Sequence, residues 1–190
     1  MNDGLLHLRR IEASDDLTSA RALAQEFGEW ASEQIRAQLG IVLPADADHP
    51  THVLDDILES GGRLYIAEVD GQPAGIGGLK RLGPTAAEIK RMFVQPTTRR
   101  SGIGRAILQQ LIDDAREIGC DNLYLESAPF MHSAHALYHS AGFVPCSAYP
   151  GREFESSAHD VSLFMRLDLS PERPPSPSPQ KPPSSSVAVP

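Results

Sequence analysis

Val94-Gln95-Pro96-Thr97-Thr98-Arg99-Arg100-Ser101-Gly102-Ile103-Gly104-Arg105-Ala106-Ile107-Leu108 decides how this chain reads, because it joins a strand to a helix through a glycine-punctuated loop. Upstream, Ala87 to Val94 is a short, mostly apolar run with charges interleaved, and Pro96 forbids the strand from continuing. Downstream, Ile103, Ile107, Leu111, Ala115 and Ile118 recur at helical spacing, with Leu108 and Ile112 widening the stripe. Gln109, Gln110, Asp113, Asp114 and Glu117 take the other side, so one face packs and the other is wet.

The first turn of such a helix leaves its N–H groups without partners, and the aligned peptide dipoles concentrate partial positive charge there. An anion docked at that end is stabilised. Gly102 and Gly104 keep Cβ atoms out of its way, and Arg99, Arg100 and Arg105 supply cationic donors, so the loop reads as a pyrophosphate cradle. Two common phosphate signatures do not fit. A P-loop needs Gly-x-x-x-x-Gly-Lys-Ser/Thr, and this loop has no lysine. A dinucleotide fingerprint needs a third glycine where Ile107 stands. What remains is Arg/Gln-x-x-Gly-x-Gly/Ala after Val-x-Pro, met by Arg99 to Gly104 behind Val94-Gln95-Pro96. That pattern resembles the coenzyme A loop of the GNAT superfamily of acyl-CoA-dependent N-acetyltransferases.

A second segment carries the same resemblance. Leu123-Tyr124-Leu125-Glu126 looks like the next strand of that fold, followed by Ala134-x-x-Leu137-Tyr138-x-x-x-Gly142-Phe143 on its short final helix. The order of elements also agrees, with strands near Leu5 to Arg10, Arg63 to Val69, Pro73 to Leu82 and Val161 to Leu169, and helical stretches between the first two. The resemblance therefore implies an α+β, GNAT-like fold over residues 1 to 169: a central mixed, mostly antiparallel sheet of six to seven strands flanked by helices on both faces. It departs from the family pattern at Met131, where many relatives carry an asparagine that contacts the cofactor.

The resemblance also implies an activity: transfer of an acetyl group from acetyl-CoA to a primary amine of a small molecule or peptide. Acetyl transfer needs a neutral amine, a polarised thioester carbonyl and a protonated leaving sulfur. Simple amines are mostly protonated at neutral pH, with a lysine-like pKa of about 10.4, so a base must take that proton. In part of the superfamily a glutamate six residues before the valine does so, and Glu88 stands there. An ordinary strand glutamate paired with Lys90 or Arg91 is the equal alternative, and Glu126 on the following strand is the substitute base. Tyr138 matches the family tyrosine that protonates the departing thiolate, a task suited to a phenol that keeps its proton at pH 7. Packing beside Leu137 and Phe143 is its other reading. The resemblance assigns Met92, Phe93 and Val94 to the carbonyl and pantetheine contacts, and Arg99, Arg100, Ser101, Gly102, Ile103, Gly104 and Arg105 to the pyrophosphate.

Composition bounds the rest. A length of 190 residues suits one domain with a sizeable core. No run is long and apolar enough for a membrane span or signal peptide, which makes the cytoplasm the expected address. Cys120 and Cys146 lack zinc-type spacing and read as reduced thiols. The net charge is −8; the tail has Arg173 and Lys181 against Glu172, so residues 1 to 169 carry −9, which argues against nonspecific nucleic-acid binding. Asp46, Asp48, Asp55, Asp56 and Glu59 cluster where a cationic acceptor would be welcome, though a solvated helix face and loop is the favoured reading.

In residues 170 to 190, prolines and serines fill 14 of 21 positions, too few apolar groups to order a segment, so a disordered tail is expected. Its PxxP spacing at Pro174 to Pro177 leaves a second class of function open: a catalytically silent acyl-CoA-binding module with a partner-recruiting tail. His132, His135 and His139 share one helical arc, read as a solvated face rather than a metal site. Gly75, Gly77 and Gly78 read as a bulge or close approach. Ala20, Leu23, Phe27, Trp30 and Gln34 trace the buried stripe expected of the first helix, and Thr51 is a candidate cap for a helix over Val53 to Leu58. The acceptor's identity is not legible, and a homodimer, common in the family, stays open.

Overall fold

A computed structural model describes residues 5–12, 17–42, 52–150 and 162–170. Thr51, most of the acidic loop before it and the tail beyond Ser170 lie outside the described residues. The elements run β1 (Leu6–Ile11), α1 (Thr18–Leu39), α2 (His52–Glu59), β2 (Arg63–Val69), β3 (Gln72–Arg81), β4 (Ala86–Val94), a 3-10 turn at Pro96–Thr98, α3 (Ile103–Glu117), β5 (Asn122–Ser127), α4 (His132–Ser140), β6 (Val144–Pro145) and β7 (Leu163–Asp168). One seven-stranded sheet has the order β1-β2-β3-β4-β5-β7-β6. All its pairs are antiparallel except β4 with β5. This is the mixed, mostly antiparallel α+β architecture expected.

Local chemistry sets the turns. Asp70 (φ 51°) and Gly71 (φ 77°) are both left-handed, the two-residue hairpin that matches strand twist and joins β2 to β3. Strand alternation then divides the side chains between two cores. Leu64, Ile66, Ile76 and Phe93 face α1 and α2, meeting Leu23, Leu54 and Ile57. Tyr65, Leu79, Ile89, Leu123 and Leu125 face α3 and α4, meeting Ile103, Ile107, Leu111, Tyr138 and Phe143. The sheet is therefore covered on both faces.

Close approach explains the glycine cluster. A Cβ on Gly77 would lie 2.4 Å from Ile107 Cγ2 on α3, and one on Gly78 would lie 2.6 Å from Ile57 Cδ1 on α2, on the opposite face. Consecutive glycines thus let a helix settle on each side of β3.

The stripe on α1 differs from expectation. Its buried residues are Ala20, Leu23, Ala24, Gly28 and Ala31, so small side chains face the sheet and bring the helix close. Phe27 and Trp30 are displaced to the border, half-buried, and form ring contacts there: Phe27 with Phe93 at 5.7 Å, Trp30 with Phe130 at 6.5 Å. Cys120 and Cys146 are both free thiols. Among the described residues no helix is long and apolar enough to cross a membrane.

Candidate active site

The loop between β4 and α3 is built to present amides. Arg100 (φ 66°) and Gly102 (φ 85°) both turn left-handed, and Gly102 is the N-cap residue of α3 without any side-chain cap. A Cβ at Gly102 would meet nothing within 4 Å, so the glycine is required by its φ and leaves open space above the helix end. Ala106 N–H donates to Gly102 O at 3.0 Å as the helix begins. Among the described residues the N–H groups of Ser101, Gly102, Ile103, Gly104 and Arg105 donate to no protein acceptor. An uncapped helix terminus with open space before it fits a pyrophosphate, as the dipole and the orphan donors require.

The three arginines divide. Arg99 turns toward α1: its Nε donates to Val94 O at 3.0 Å, and its guanidinium carbon stands 5.2 Å from the Trp30 ring centre. Arg105 reaches α4, with Nη2 3.5 Å from Ser140 Oγ. Arg100 is exposed and has no protein partner among the described residues. Arg100 thus faces solvent, while Arg99 and Arg105 make contacts toward α1 and α4.

The strand leading into the cradle is open on one side. β4 pairs in parallel with β5 only from Ala86↔Asn122 to Ile89↔Leu125, so Met92, Phe93 and Val94 have no strand neighbour there. On its other side, register slips between Ile76↔Phe93 and Gly78↔Lys90, leaving Arg91 and Met92 opposite Gly77. Arg91 takes φ 53°, a conformation costly for a side-chain-bearing residue, and bulges of this kind re-aim a strand beside a site. The bulge moves Phe93 onto the α1 face while Ile89 stays on the α3 face.

Tyr138 sits on α4 against Phe143, ring centres 5.9 Å apart, in the core shared with α3. Burial pushes its phenol up to about 12, so it holds its proton throughout the neutral range. Among the described residues its hydroxyl has no hydrogen-bond partner. Nearby, Met131 Sδ receives Ser127 Oγ at 3.5 Å, and His135 Nε2 lies 3.1 Å from the same hydroxyl. His135 is pushed below the usual histidine value, chiefly by burial and then by His132. His132 and His139 are exposed, and His139 Nδ1 contacts Phe143 O at 3.2 Å. Among the described residues no three potential metal ligands stand together.

Glu88 lies on the α1 face of β4 with no exposure at all. Its Oε1 accepts from Lys90 Nζ at 2.9 Å and from the Tyr149 hydroxyl at 2.8 Å. One of these donors is cationic, so the buried carboxylate has a charge partner within the same strand. Tyr149 was invisible in the sequence: it follows β6 in Cys146-Ser147-Ala148-Tyr149-Pro150, a stretch without periodicity or motif. Its ring stacks on Tyr124 (4.5 Å, 28°) and meets Phe164 edge-on (5.9 Å, 85°). Burial, and then the Glu88 carboxylate, push its phenol far above the ordinary tyrosine value. Chemically, the region offers an uncapped helix end, an unpaired strand edge, two phenols that keep their protons and one buried carboxylate.

Comparisons with known proteins agree with this geometry. Residues 24–143 match the family model for the acetyltransferase (GNAT) family. The chain is 34% identical over 141 residues to an IAA acetyltransferase of Azospirillum brasilense, covering 72% of this chain and 87% of that protein. A GNAT family acetyltransferase from Staphylococcus aureus shares its fold with a TM-score of 0.65 at 24% identity, over 86% of this chain and 100% of that one. Another from Elizabethkingia anophelis, with acetyl-CoA bound, gives 0.57 at 18% identity, over 86% and 98%. This chain belongs to the GNAT family of acetyltransferases and is an acyltransferase by that membership.

Proposed function

We propose that the protein is an N-acetyltransferase that moves an acetyl group from acetyl-CoA to a primary amine of a small molecule or peptide by direct transfer. The observation that carries this reading is the junction at residue 94, where an open strand edge runs directly into an uncapped helix N-terminus. One linear molecule with amides along its arm and a pyrophosphate at its far end satisfies both features together.

When bound, acetyl-CoA supplies the acetyl group as a thioester. The amides of residues 101 to 105, with Arg100 beside them, hold the pyrophosphate, while Arg99 and Arg105 stiffen the loop. Met92, Phe93 and Val94 offer backbone groups to the arm and the carbonyl. Tyr138, kept protonated by burial, donates its proton to the leaving sulfur. Glu88, paired with Lys90, is the general base, with Glu126 on β5 as the substitute. The amine enters over the α1 face, where Phe27, Trp30 and Phe130 line the approach.

Calorimetric titration with acetyl-CoA, with ADP and NAD as controls for generic phosphate affinity, tests the cofactor assignment. Saturable binding of acetyl-CoA alone is expected, followed by amine-dependent thiol release in a screen of primary amines. Gly102→Asp is expected to abolish binding, because it places bulk and negative charge at the helix end. Normal binding by that variant removes the loop from the reading.

A further inference from the structure

The open end of the β4–β5 seam has two lips. One is β4 past Ile89, where Phe93 lies on the α1 face; the other is the chain leaving β5, where Phe130 stands just past Ser127. Rings on α1 join them: Phe27 lies 5.7 Å from Phe93 and 6.2 Å from Trp30, and Trp30 meets Phe130 edge-on at 6.5 Å. Phe27, Trp30 and Phe130 are each only half-buried, so this wall across the mouth of the gap is open to a ligand arriving from solvent.

One cation belongs to the wall. The Arg99 guanidinium carbon lies 5.2 Å from the Trp30 ring centre and 6.0 Å from that of Phe93. Its Nε donates to Val94 O at 3.0 Å, which restrains the plane of the group and closes the side-on mode of carboxylate binding through Nε. The two terminal nitrogens, Nη1 and Nη2, have no hydrogen-bond or ion-pair partner among the described residues. Glu26, one turn before Trp30 on α1, is engaged instead by Gln95 Nε2 at 2.8 Å, a contact that pins α1 against the same loop. An arginine held by two rings and a carbonyl has already lost much of the freedom that binding otherwise costs. Its free end presents two parallel N–H groups, the fork that matches a carboxylate.

We propose that Arg99 is the acceptor's carboxylate clamp: the amine that this protein acetylates also carries a carboxylate, received end-on by Nη1 and Nη2 while its apolar body lies along Phe27, Trp30 and Phe130. The inference rests on the reading of the α1 face as the acceptor's approach, and narrows it to one class, amino acids with an apolar or aromatic side chain. A zwitterion has no net charge for a chain of net charge −8 to repel, yet its carboxylate still requires a cation at the site. The rival ligand for the fork is the donor's own pyrophosphate at the start of α3. Arg99 turns from that helix end toward α1, and the test separates the two.

Trp30 is the single tryptophan of the chain, so its fluorescence reports on this wall without any need of turnover. 3-Phenylpropionate, which has the ring and the carboxylate but no amine, is expected to change that fluorescence saturably, and 3-phenylpropanol, which lacks the charge, to bind at least about tenfold more weakly. Arg99→Met keeps an apolar stem on Trp30 and loses the fork, so it is expected to erase the difference between acid and alcohol. The acid's response is expected to persist under saturating acetyl-CoA. An equal response to acid and alcohol, or an acid preference that survives in Arg99→Met, overturns the clamp. Displacement of the acid by acetyl-CoA overturns it too, because the fork then belongs to the donor's phosphates. The second readout is thiol release from acetyl-CoA with phenylalanine and with phenylalaninamide. Arg99→Met is expected to lower kcat/KM for phenylalanine about 10- to 100-fold more than for phenylalaninamide, chiefly through KM; the differing basicity of the two amines cancels in that comparison. Equal losses on both amines overturn the clamp. Absence of acetyl-CoA binding by the wild-type protein overturns the underlying reading, whereas normal acetyl-CoA binding without an acid-specific change in Trp30 fluorescence overturns the clamp alone.

Discussion

Replacing Gly77 by alanine puts a methyl carbon 2.4 Å from Ile107 Cγ2, 3.1 Å from Met92 Sδ and 3.4 Å from Leu111 Cδ1. Ile107 and Leu111 are fully buried on α3, so neither has solvent to move into. Overpacking of this kind costs about 1–3 kcal/mol, and a contact well below van der Waals distance belongs to the upper half of that range. Glycine's greater loss of chain entropy on folding returns about 0.5–1 kcal/mol to the alanine variant. The net expectation is a loss of about 1–2.5 kcal/mol, which lowers Tm by about 2–10 °C for a chain of this size. Urea titration measures it directly, with the midpoint moving and the slope unchanged. Ile107→Leu removes the offending Cγ2 at constant volume, so the double variant is expected to recover part of the loss, a coupling that a simple strand-propensity effect does not produce. A Gly77→Ala protein within about 0.5 kcal/mol of wild type, the scatter of an ordinary surface change, refutes the close seating of α3 on β3.

Three further expectations concern the site. Tyr138→Phe is expected to lower thiol release with a turned-over amine by about one to several powers of ten while acetyl-CoA binding by calorimetry stays near wild type; unchanged turnover removes Tyr138 from the proton transfer. Lys90→Met removes a cation 2.9 Å from the buried Glu88 carboxylate and is expected to cost about 3–5 kcal/mol by denaturant titration, with a change under about 1 kcal/mol arguing that the pair is not formed in solution. His135 has a depressed value in the folded protein, so the unfolded chain binds the extra proton as pH falls below the ordinary histidine value of about 6.5 and stability drops there; His135→Gln is expected to flatten the stability curve between about pH 5 and 7, and an unaltered curve refutes it.

The loop and its helix were legible because a few residues do all the work there: Pro96 stops the strand, Gly102 supplies a positive φ, and an apolar stripe begins at Ile103. Strand boundaries fell within about two residues wherever apolar alternation met a turn signal, as at Arg63 to Val69. Long-range geometry was not legible. The alanine and glycine face of α1 looks unremarkable beside Phe27 and Trp30, yet it is what lies on the sheet, because backbone approach favours small groups over large ones. The left-handed Arg91 carries no glycine to announce its bulge. The partition of Arg99 and Arg105 depends on where Trp30 and Ser140 arrive from other elements. Tyr149 fails to register for the same reason: its meaning is a 2.8 Å contact with a residue 61 positions earlier, in a segment whose own pattern says nothing.

The parallel seam between β4 and β5 is only four residue pairs long, and it is where the two halves of the sheet meet. Everything from β1 to β4 on one side, and β5 with β7 and β6 on the other, is sewn together there and by the shared core in which Leu123, Leu125 and Met165 join Ile89 and Leu111. Such a short seam makes the protein resemble a book with a narrow spine, whose leaves part most easily at the unstitched end beyond Ile89. If the donor's arm pairs with that free edge, as the proposed function has it, the arm is a rivet as well as a reactant: it ties the leaves together, slows amide exchange along both facing edges, and releases them on leaving.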